Sequence, residues 1–236
     1  MELKIYQSQF AAVYNQIYGD KFYRDYANFI GRAIKNNQIK RVSLLDIACG
    51  TGKLLGELNK LFKGRNILIE GVDASMAMIN IAAKENKKVK FYNQKLTDLE
   101  IGRKFSVITC TFDSLNYIIR AGDLEEVFKR IASHLSPGGI FIFDFNTIYK
   151  KICPTIVKDN VVYCNQIKGK FWLIDILINK KGKIYKEKHR ERLYLFKEIK
   201  ILLGKNNFKK IELYSFFDKK INKSGKCPRL FIVAKN

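Results

Sequence analysis

Histidine and closely paired cysteine are scarce in this sequence. Two histidines, His134 and His189, and five cysteines without a Cys-x-x-Cys spacing offer no set of ligands at zinc-site intervals. The cysteines (Cys49, Cys110, Cys153, Cys164 and Cys227) are odd in number and widely spaced, which argues against a disulfide framework. Cys49 and Cys110 fall in or beside predicted strands, where a free thiol packs as a small hydrophobe. Long apolar runs are missing as well. Ile140-Phe-Ile-Phe143 and Phe171-Trp-Leu-Ile174 stop far short of the ~20 residues needed to span a bilayer, so no membrane partner is expected. The opening Met1-Glu-Leu-Lys-Ile-Tyr6 has none of the basic, apolar and small-residue pattern of a secretory signal, and a cytoplasmic location is expected.

Negative charge is the other shortage. Against 22 acidic residues stand 44 basic ones, a formal charge of +22. Such an excess draws a protein toward nucleic acid when it is clustered. Here only ten of the basic residues are arginine, and the lysines are scattered in pairs such as Lys87-Lys88, Lys180-Lys181 and Lys219-Lys220. Arginine's fork suits phosphate and base edges better than lysine does. Nucleic acid is therefore a possible but not the favoured partner.

The chain has 236 residues, 47% of them hydrophobic, which fits a single domain. From Arg41 onward, short apolar runs alternate with helical patterns, the mark of βα units on a parallel sheet. Strands are predicted at Val42 to Ile47, Asn66 to Val72, Val89 to Tyr92, Phe105 to Cys110 and Ile140 to Phe145. Helices are predicted at Lys53 to Phe62, Met76 to Lys84 and Leu124 to Leu135, the last stopped by Ser136-Pro-Gly-Gly139. Ahead of this core, Phe10 to Ile34 reads as two tyrosine-rich helices (Tyr14, Tyr18, Tyr23, Tyr26) broken at Gly19-Asp20. After it, Ile156 to Tyr194 turns to antiparallel β alternation around Lys181-Gly-Lys183. Leu195 to Leu203 reads as a helix, and Lys210 to Tyr214 and Leu230 to Ala234 as closing strands. The organisation expected is a cap (1–40), a core (41–152), an insertion (153–194) and a closing unit (195–236).

A strand ending in Asp46, a turn with Gly50 and Gly52, and a following helix let backbone approach a nucleoside closely. The dinucleotide pattern Gly-x-Gly-x-x-Gly fails at Leu55. Asp46 would oppose a pyrophosphate but suits a ligand carrying an ammonium and a sulfonium, which favours S-adenosyl-L-methionine over NAD. Asp73, ending the second strand, is placed to accept hydrogen bonds from ribose hydroxyls.

At these residues the sequence resembles the class I S-adenosylmethionine-dependent methyltransferases. The family's glycine motif stands here as Asp46-Ile-Ala48-Cys-Gly50-Thr-Gly52, with Ala48 in the first glycine's place. Phe10-Ala-Ala-Val-Tyr14 through Tyr23, and Phe112-Asp-Ser-Leu-Asn-Tyr117, resemble the branch that methylates small molecules. The resemblance implies an α/β fold: a doubly wound, mostly parallel seven-stranded sheet with helices on both faces, an N-terminal helical cap and a small antiparallel β insertion. It also implies cofactor contacts from Tyr14, Tyr23, Asp46, Ala48, Gly50, Gly52, Asp73, Ala74 and Leu96. Where the family has an acidic residue on the adenine amino group, this chain has Lys95, which cannot accept that bond. Adenine recognition then falls to the Leu96 backbone.

Methyl transfer from a sulfonium asks a protein for alignment, exclusion of water and removal of the acceptor's proton. The candidate catalytic bases are Asp113, after the fourth strand, and His189 in the insertion. Strand alternation puts Glu187, His189 and Glu191 on one face, with the carboxylates orienting the imidazole. His134, near a helix end, is read as structural. Neither an Asn/Asp-Pro-Pro-Tyr motif nor a Pro-Cys nucleophile is present. The expectation is transfer to an N or O atom of a small-molecule acceptor, the alternatives being a nucleic-acid methyltransferase or a non-catalytic cofactor-binding protein. No oligomeric state is implied.

Overall fold

The structure is a computed structural model that describes residues 5–17, 19–217, 219–221 and 226–236. Tyr18 of the tyrosine-rich segment lies outside the described residues. Helices α1 (Ser8–Ile17) and α2 (Asp20–Asn36) precede the core and part where Gly19-Asp20 was expected to break them. The core then runs β1 (Ser43–Ile47), α3 (Lys53–Leu61), β2 (Leu68–Asp73), α4 (Met76–Glu85), β3 (Lys90–Asn93), β4 (Phe105–Cys110), α5 (Ala121–His134) and β5 (Leu135–Asn146). Single 3-10 turns at Leu96–Asp98 and Ser114–Tyr117, too short to leave a periodic signal, follow β3 and β4.

The insertion consists of β6 (Thr155–Lys158), β7 (Val161–Lys168), β8 (Phe171–Lys180) and β9 (Lys183–Arg192), an antiparallel sheet in sequence order. Lys181 and Gly182 join β8 to β9 with φ of +51° and +78°, the paired left-handed conformations whose twist matches a hairpin. After it come α6 (Phe196–Lys205), β10 (Lys210–Tyr214), β11 (Lys220–Ile221) and β12 (Arg229–Lys235).

Among the described residues the main sheet has eight strands rather than seven, in the order β11-β10-β12-β5-β4-β1-β2-β3. The extra strand, β11, is a two-residue antiparallel addition to the edge, below the length at which alternation can be read. Strands β1 to β5 are mutually parallel, and β12 runs antiparallel between β5 and β10.

Because both faces carry helices, successive residues of each central strand enter opposite cores. Leu45, Ile47 and Ile108 meet Phe128, Ile131 and Leu203 on the side of α5 and α6, while Leu44, Val107 and Ile142 meet Ile30, Leu55 and Leu58 on the side of α2 and α3. A third cluster packs Phe10 of α1 on Val161, Ile174, Ile176 and Ile178 of the insertion. The strand order reverses around β1, between β2 and β4. That switch point opens a crevice at the carboxyl ends of the strands, where doubly wound sheets bind ligands.

Candidate cofactor and acceptor site

The glycine loop lies in this crevice. Ala48, Gly50 and Gly52 all take positive φ (+56°, +55° and +73°), so the first of the three positions carries a side chain in a conformation glycine adopts without strain. A Cβ on Gly50 would meet nothing within 4 Å, leaving backbone bare toward open space. On Gly52 it would stand 2.9 Å from Asn86 Nδ2 and 3.0 Å from the Ala82 Cβ, so α3 can start here only from a glycine.

Two carboxylates flank the loop. Asp46 is 2% exposed, and among the described residues its side chain has one hydrogen-bond partner, the Thr109 hydroxyl at 2.6 Å. Burial pushes its carboxyl up to about 7, with the Thr109 bond opposing and the Asp73 charge adding to the rise. Asp73 accepts the amide hydrogens of Gly50 and Ser75, each at 2.8 Å. Burial raises its carboxyl too, and those two amides hold it back. Asn93 fixes the segment beyond by donating to the carbonyls of Asp73 and Ala74. Leu96 is buried at the start of its 3-10 turn, while Ala74 and Lys95 are exposed.

The N-terminal helices lie over the loop. Thr51, between its last two glycines, donates to Asn15 Oδ1 at 2.6 Å, and Lys53 pairs with Asp20 at 2.7 Å. Tyr14 is half-buried against Tyr6 and Phe10. Tyr23 is buried under the Lys53 ammonium, with its ring 5.0 Å from Phe112. The structure thus brings Tyr14 and Tyr23 to the helices that cover the crevice.

On the far side of the crevice, β9 turns Glu187, His189 and Glu191 inward and Lys186, Lys188 and Arg190 outward, as alternation required. His189 is 3% exposed. Its Nε2 lies 3.1 Å from Glu187 Oε2 and its Nδ1 2.9 Å from the Tyr117 hydroxyl. A carboxylate only accepts, so Nε2 carries the hydrogen, and Tyr117 donates to Nδ1 while receiving from the Tyr6 hydroxyl at 2.9 Å.

Asp113 sits at the base of the same wall with φ +51°. Its carboxylate is held by Arg229 at 2.6 Å and by the Asn146 amide. Asp144 accepts the Phe112 and Asp113 amides and the Tyr26 hydroxyl, and lies 3.4 Å from Arg229 Nε. Burial pushes Asp144 up to about 6 while Arg229 opposes the rise. Glu191 accepts from Asn146 at 3.0 Å, and burial, with the Asp113 charge, pushes its carboxyl well above the usual range. Lys150 donates to Asn146 Oδ1 at 3.0 Å and sits 4.4 Å from the Trp172 ring centre. Burial lowers the proton affinity of its ammonium.

Asp144, Asn146, Lys150, Arg229 and Tyr117 were not singled out from sequence. A signal for two of them exists in Phe143-Asp-Phe-Asn146, where polar residues alternate into the end of a strand otherwise apolar on both faces. His134 is structural: its Nε2 accepts the Ile101 amide and its Nδ1 faces the Arg130 carbonyl. An open groove of about 1310 Å³ lies at the amino ends of β1 and β2, away from the loop, and is lined by Arg32, Lys35, Lys40, Arg41 and Arg65 among others. All five cysteines are free, and among the described residues no helix is long and apolar enough to cross a membrane.

A family model described as a methyltransferase domain matches residues 44–139, from β1 into β5. An S-adenosylmethionine-dependent methyltransferase from Clostridium acetobutylicum superposes with a TM-score of 0.79 at 29% identity, over 96% of this chain and 97% of that one. The chain belongs to the class I S-adenosylmethionine-dependent methyltransferases. The chain is also similar to an uncharacterized protein of Methanocaldococcus jannaschii, 30% identical over 92% of this chain and 79% of that protein. It is 29% identical to the dTDP-3-amino-3,6-dideoxy-alpha-D-glucopyranose N,N-dimethyltransferase of Streptomyces fradiae, over 59% of this chain and 54% of that protein. The chain thus spans little more than half the length of the amino-sugar dimethyltransferases it matches. Its crevice fits the family's cofactor, S-adenosylmethionine: bare loop backbone stands at Gly50, and the buried Asp46 carboxylate, with one neutral donor, suits a cationic group.

Proposed function

We propose that this protein transfers a methyl group from S-adenosylmethionine to an amino or hydroxyl group of a small molecule. The observation that carries this reading is the stitched pair of strand ends, Asp46 and Asp73, around a positive-φ loop at the switch point. When bound, the cofactor supplies a methyl on a sulfonium, open to in-line attack. Asp46 holds the ammonium of its methionyl part, beside Tyr14 and Tyr23. Asp73 takes ribose hydroxyls on the lone pairs left free by its two amides, next to Ala74. The Leu96 backbone meets adenine, and the backbone of Ala48, Gly50 and Gly52 lets the ligand lie close.

Nitrogen is the acceptor atom we favour. The wall beside the crevice gathers the carboxyl groups of Asp113, Asp144 and Glu191 beside Arg229 and Lys150, a cluster of acceptor oxygens better matched to an amine than to a hydroxyl with its single hydrogen. The amino-sugar methylation in the names of curated relatives agrees with this choice. Asp113 serves there as a counter-ion to Arg229. The acceptor's proton passes to the Tyr117–His189 pair, Tyr117 relaying it to Nδ1 while Glu187 holds the Nε2 hydrogen. Methylation of nucleic acid is disfavoured because the cation-lined groove opens at the other end of the sheet.

The test is formation of adenosylhomocysteine with a panel of amino sugars and their hydroxyl counterparts. His189→Ala is expected to lower kcat about a hundredfold, and unaltered turnover removes His189 from this role. Cofactor binding without transfer to any acceptor favours the non-catalytic reading. Methyl incorporation into RNA, with binding lost steeply in salt, favours the nucleic-acid one.

A further inference from the structure

Residues 5–7 and α1 form a strap across the crevice, fastened at three places. The Tyr6 and Gln7 amides donate to Oε2 and Oε1 of Glu187, each at 2.9 Å. Ser75, two residues beyond Asp73, donates to the Tyr6 carbonyl at 2.7 Å. Thr51 of the glycine loop donates to Asn15 of α1. The strap therefore joins the β9 wall to both cofactor-side motifs.

Glu187 belongs to two of the structures at once. Its Oε2 receives the Tyr6 amide and also the Nε2 hydrogen of His189, and the residue is 5% exposed. The rings of Tyr6 and Phe10 stand edge-on to the imidazole at 5.0 and 5.5 Å. With the strap closed, this carboxylate has three donors and the imidazole is fixed on four sides by Glu187, Tyr117, Tyr6 and Phe10. With the strap lifted, a buried carboxylate keeps one donor, a state that water entry or rotation of Glu187 must relieve. Either relief releases the imidazole from its fixed tautomer and orientation.

We propose that Glu187 is a positioning residue that clasps the N-terminal strap over the cofactor and, through the same oxygen, holds His189 in its working orientation only while the strap is closed. The proposal rests on the methyl-transfer reading above. It assigns the strap a second purpose besides excluding water: the proton acceptor is set only in the closed form.

Glu187→Gln tests it. Glutamine keeps the shape but turns an NH2 toward one of the two strap amides, donor against donor, and so holds only one of them. Adenosylhomocysteine is expected to dissociate about tenfold faster from E187Q, read by stopped-flow fluorescence. Glu187→Leu, which removes the acceptors of both strap amides and of the Nε2 hydrogen, is expected to lower kcat with the acceptor KM little changed, and its histidine nitrogen NMR signals to lose their single fixed tautomer. Hydrogen exchange on the unaltered chain is a readout that needs no variant: amides of residues 5–17 are expected to slow when adenosylhomocysteine binds. Wild-type dissociation in a folded E187Q, wild-type histidine signals in a folded E187L, or strap exchange indifferent to cofactor, overturn the proposal alone. Failure of the unaltered chain to bind cofactor overturns it together with the methyl-transfer reading.

Discussion

Asp73 accepts the amide hydrogen of Gly50 at 2.8 Å, so the end of β2 is tied directly to the glycine loop that follows β1. Its other oxygen holds the Ser75 amide and starts the turn into α4. The carboxylate is thus part of the loop's own construction as well as the reading's ribose ligand. Asp73→Asn keeps one acceptor oxygen and brings an NH2 against the other amide. We expect adenosylhomocysteine affinity to drop at least about tenfold and thermal stability to fall by about 1–3 kcal/mol, the cost of an unsatisfied buried donor. Calorimetric titration and a melting curve read the two effects separately.

Asp46 gives the site a pH dependence with a definite sign. Its carboxyl is raised to about 7 in the fold, and an ammonium partner favours the ionised form. Between the ordinary carboxylate range and about 7, cofactor binding must therefore expel a proton, and affinity should climb with pH before levelling above about 7. Calorimetry in buffers of different ionisation enthalpy counts the proton. Asp46→Asn should flatten most of the slope and weaken binding at neutral pH. An affinity that rises as pH falls contradicts the assignment.

The loop also separates two small residues that composition treats alike. Gly52→Ala adds a Cβ at 2.9 Å from Asn86 Nδ2, on a left-handed backbone, and should destabilise the protein by about 1–3 kcal/mol. Ala48→Gly removes a side chain from a position at φ +56°, relieving strain of roughly 1 kcal/mol less whatever packing the methyl gives. Chemical denaturation of both variants should show a clear loss in the first and little change or a small gain in the second.

Arg229 neutralises two carboxylates under the acceptor wall, Asp113 at 2.6 Å and Asp144 at 3.4 Å. Arg229→Met leaves both without a cation of comparable reach. A loss of about 3–5 kcal/mol is expected in urea denaturation at neutral pH. It should shrink in acid, where Asp144, already raised to about 6 by burial, takes up a proton. A loss independent of pH would point to packing instead of charge.

Much of this architecture is legible in the order of residues because it is local. Both edges of β4 and β10 fall where alternation puts them, and Asp46, Gly50, Gly52 and Asp73, close in spacing, come together at the switch point. The acceptor wall is a different matter. Tyr117 meets His189 across the chain, and Asp113 meets Arg229 across a still longer interval. Neither contact leaves a periodic trace, since it depends on where the insertion sheet and β12 are laid down. Helix α5 begins at Ala121, ahead of the expected Leu124, because its first turn is polar and adds nothing to the apolar stripe. Strand β5 begins at Leu135 and runs through Ser136-Pro-Gly-Gly139 instead of starting after it, so the segment that ends the helix is also the first part of the strand.

The place of β12, wedged antiparallel between β5 and β10, has a consequence for biosynthesis. A ribosome emits β1 to β5 with their carboxylates first, then the whole insertion and α6, and only afterwards the strand that bears Arg229. Until that strand slots in, the nascent domain has a cofactor loop but an acceptor wall with unbalanced acids and a central strand with an open flank. The balance of charge at that wall therefore arrives in one late stroke, with the closure of the sheet.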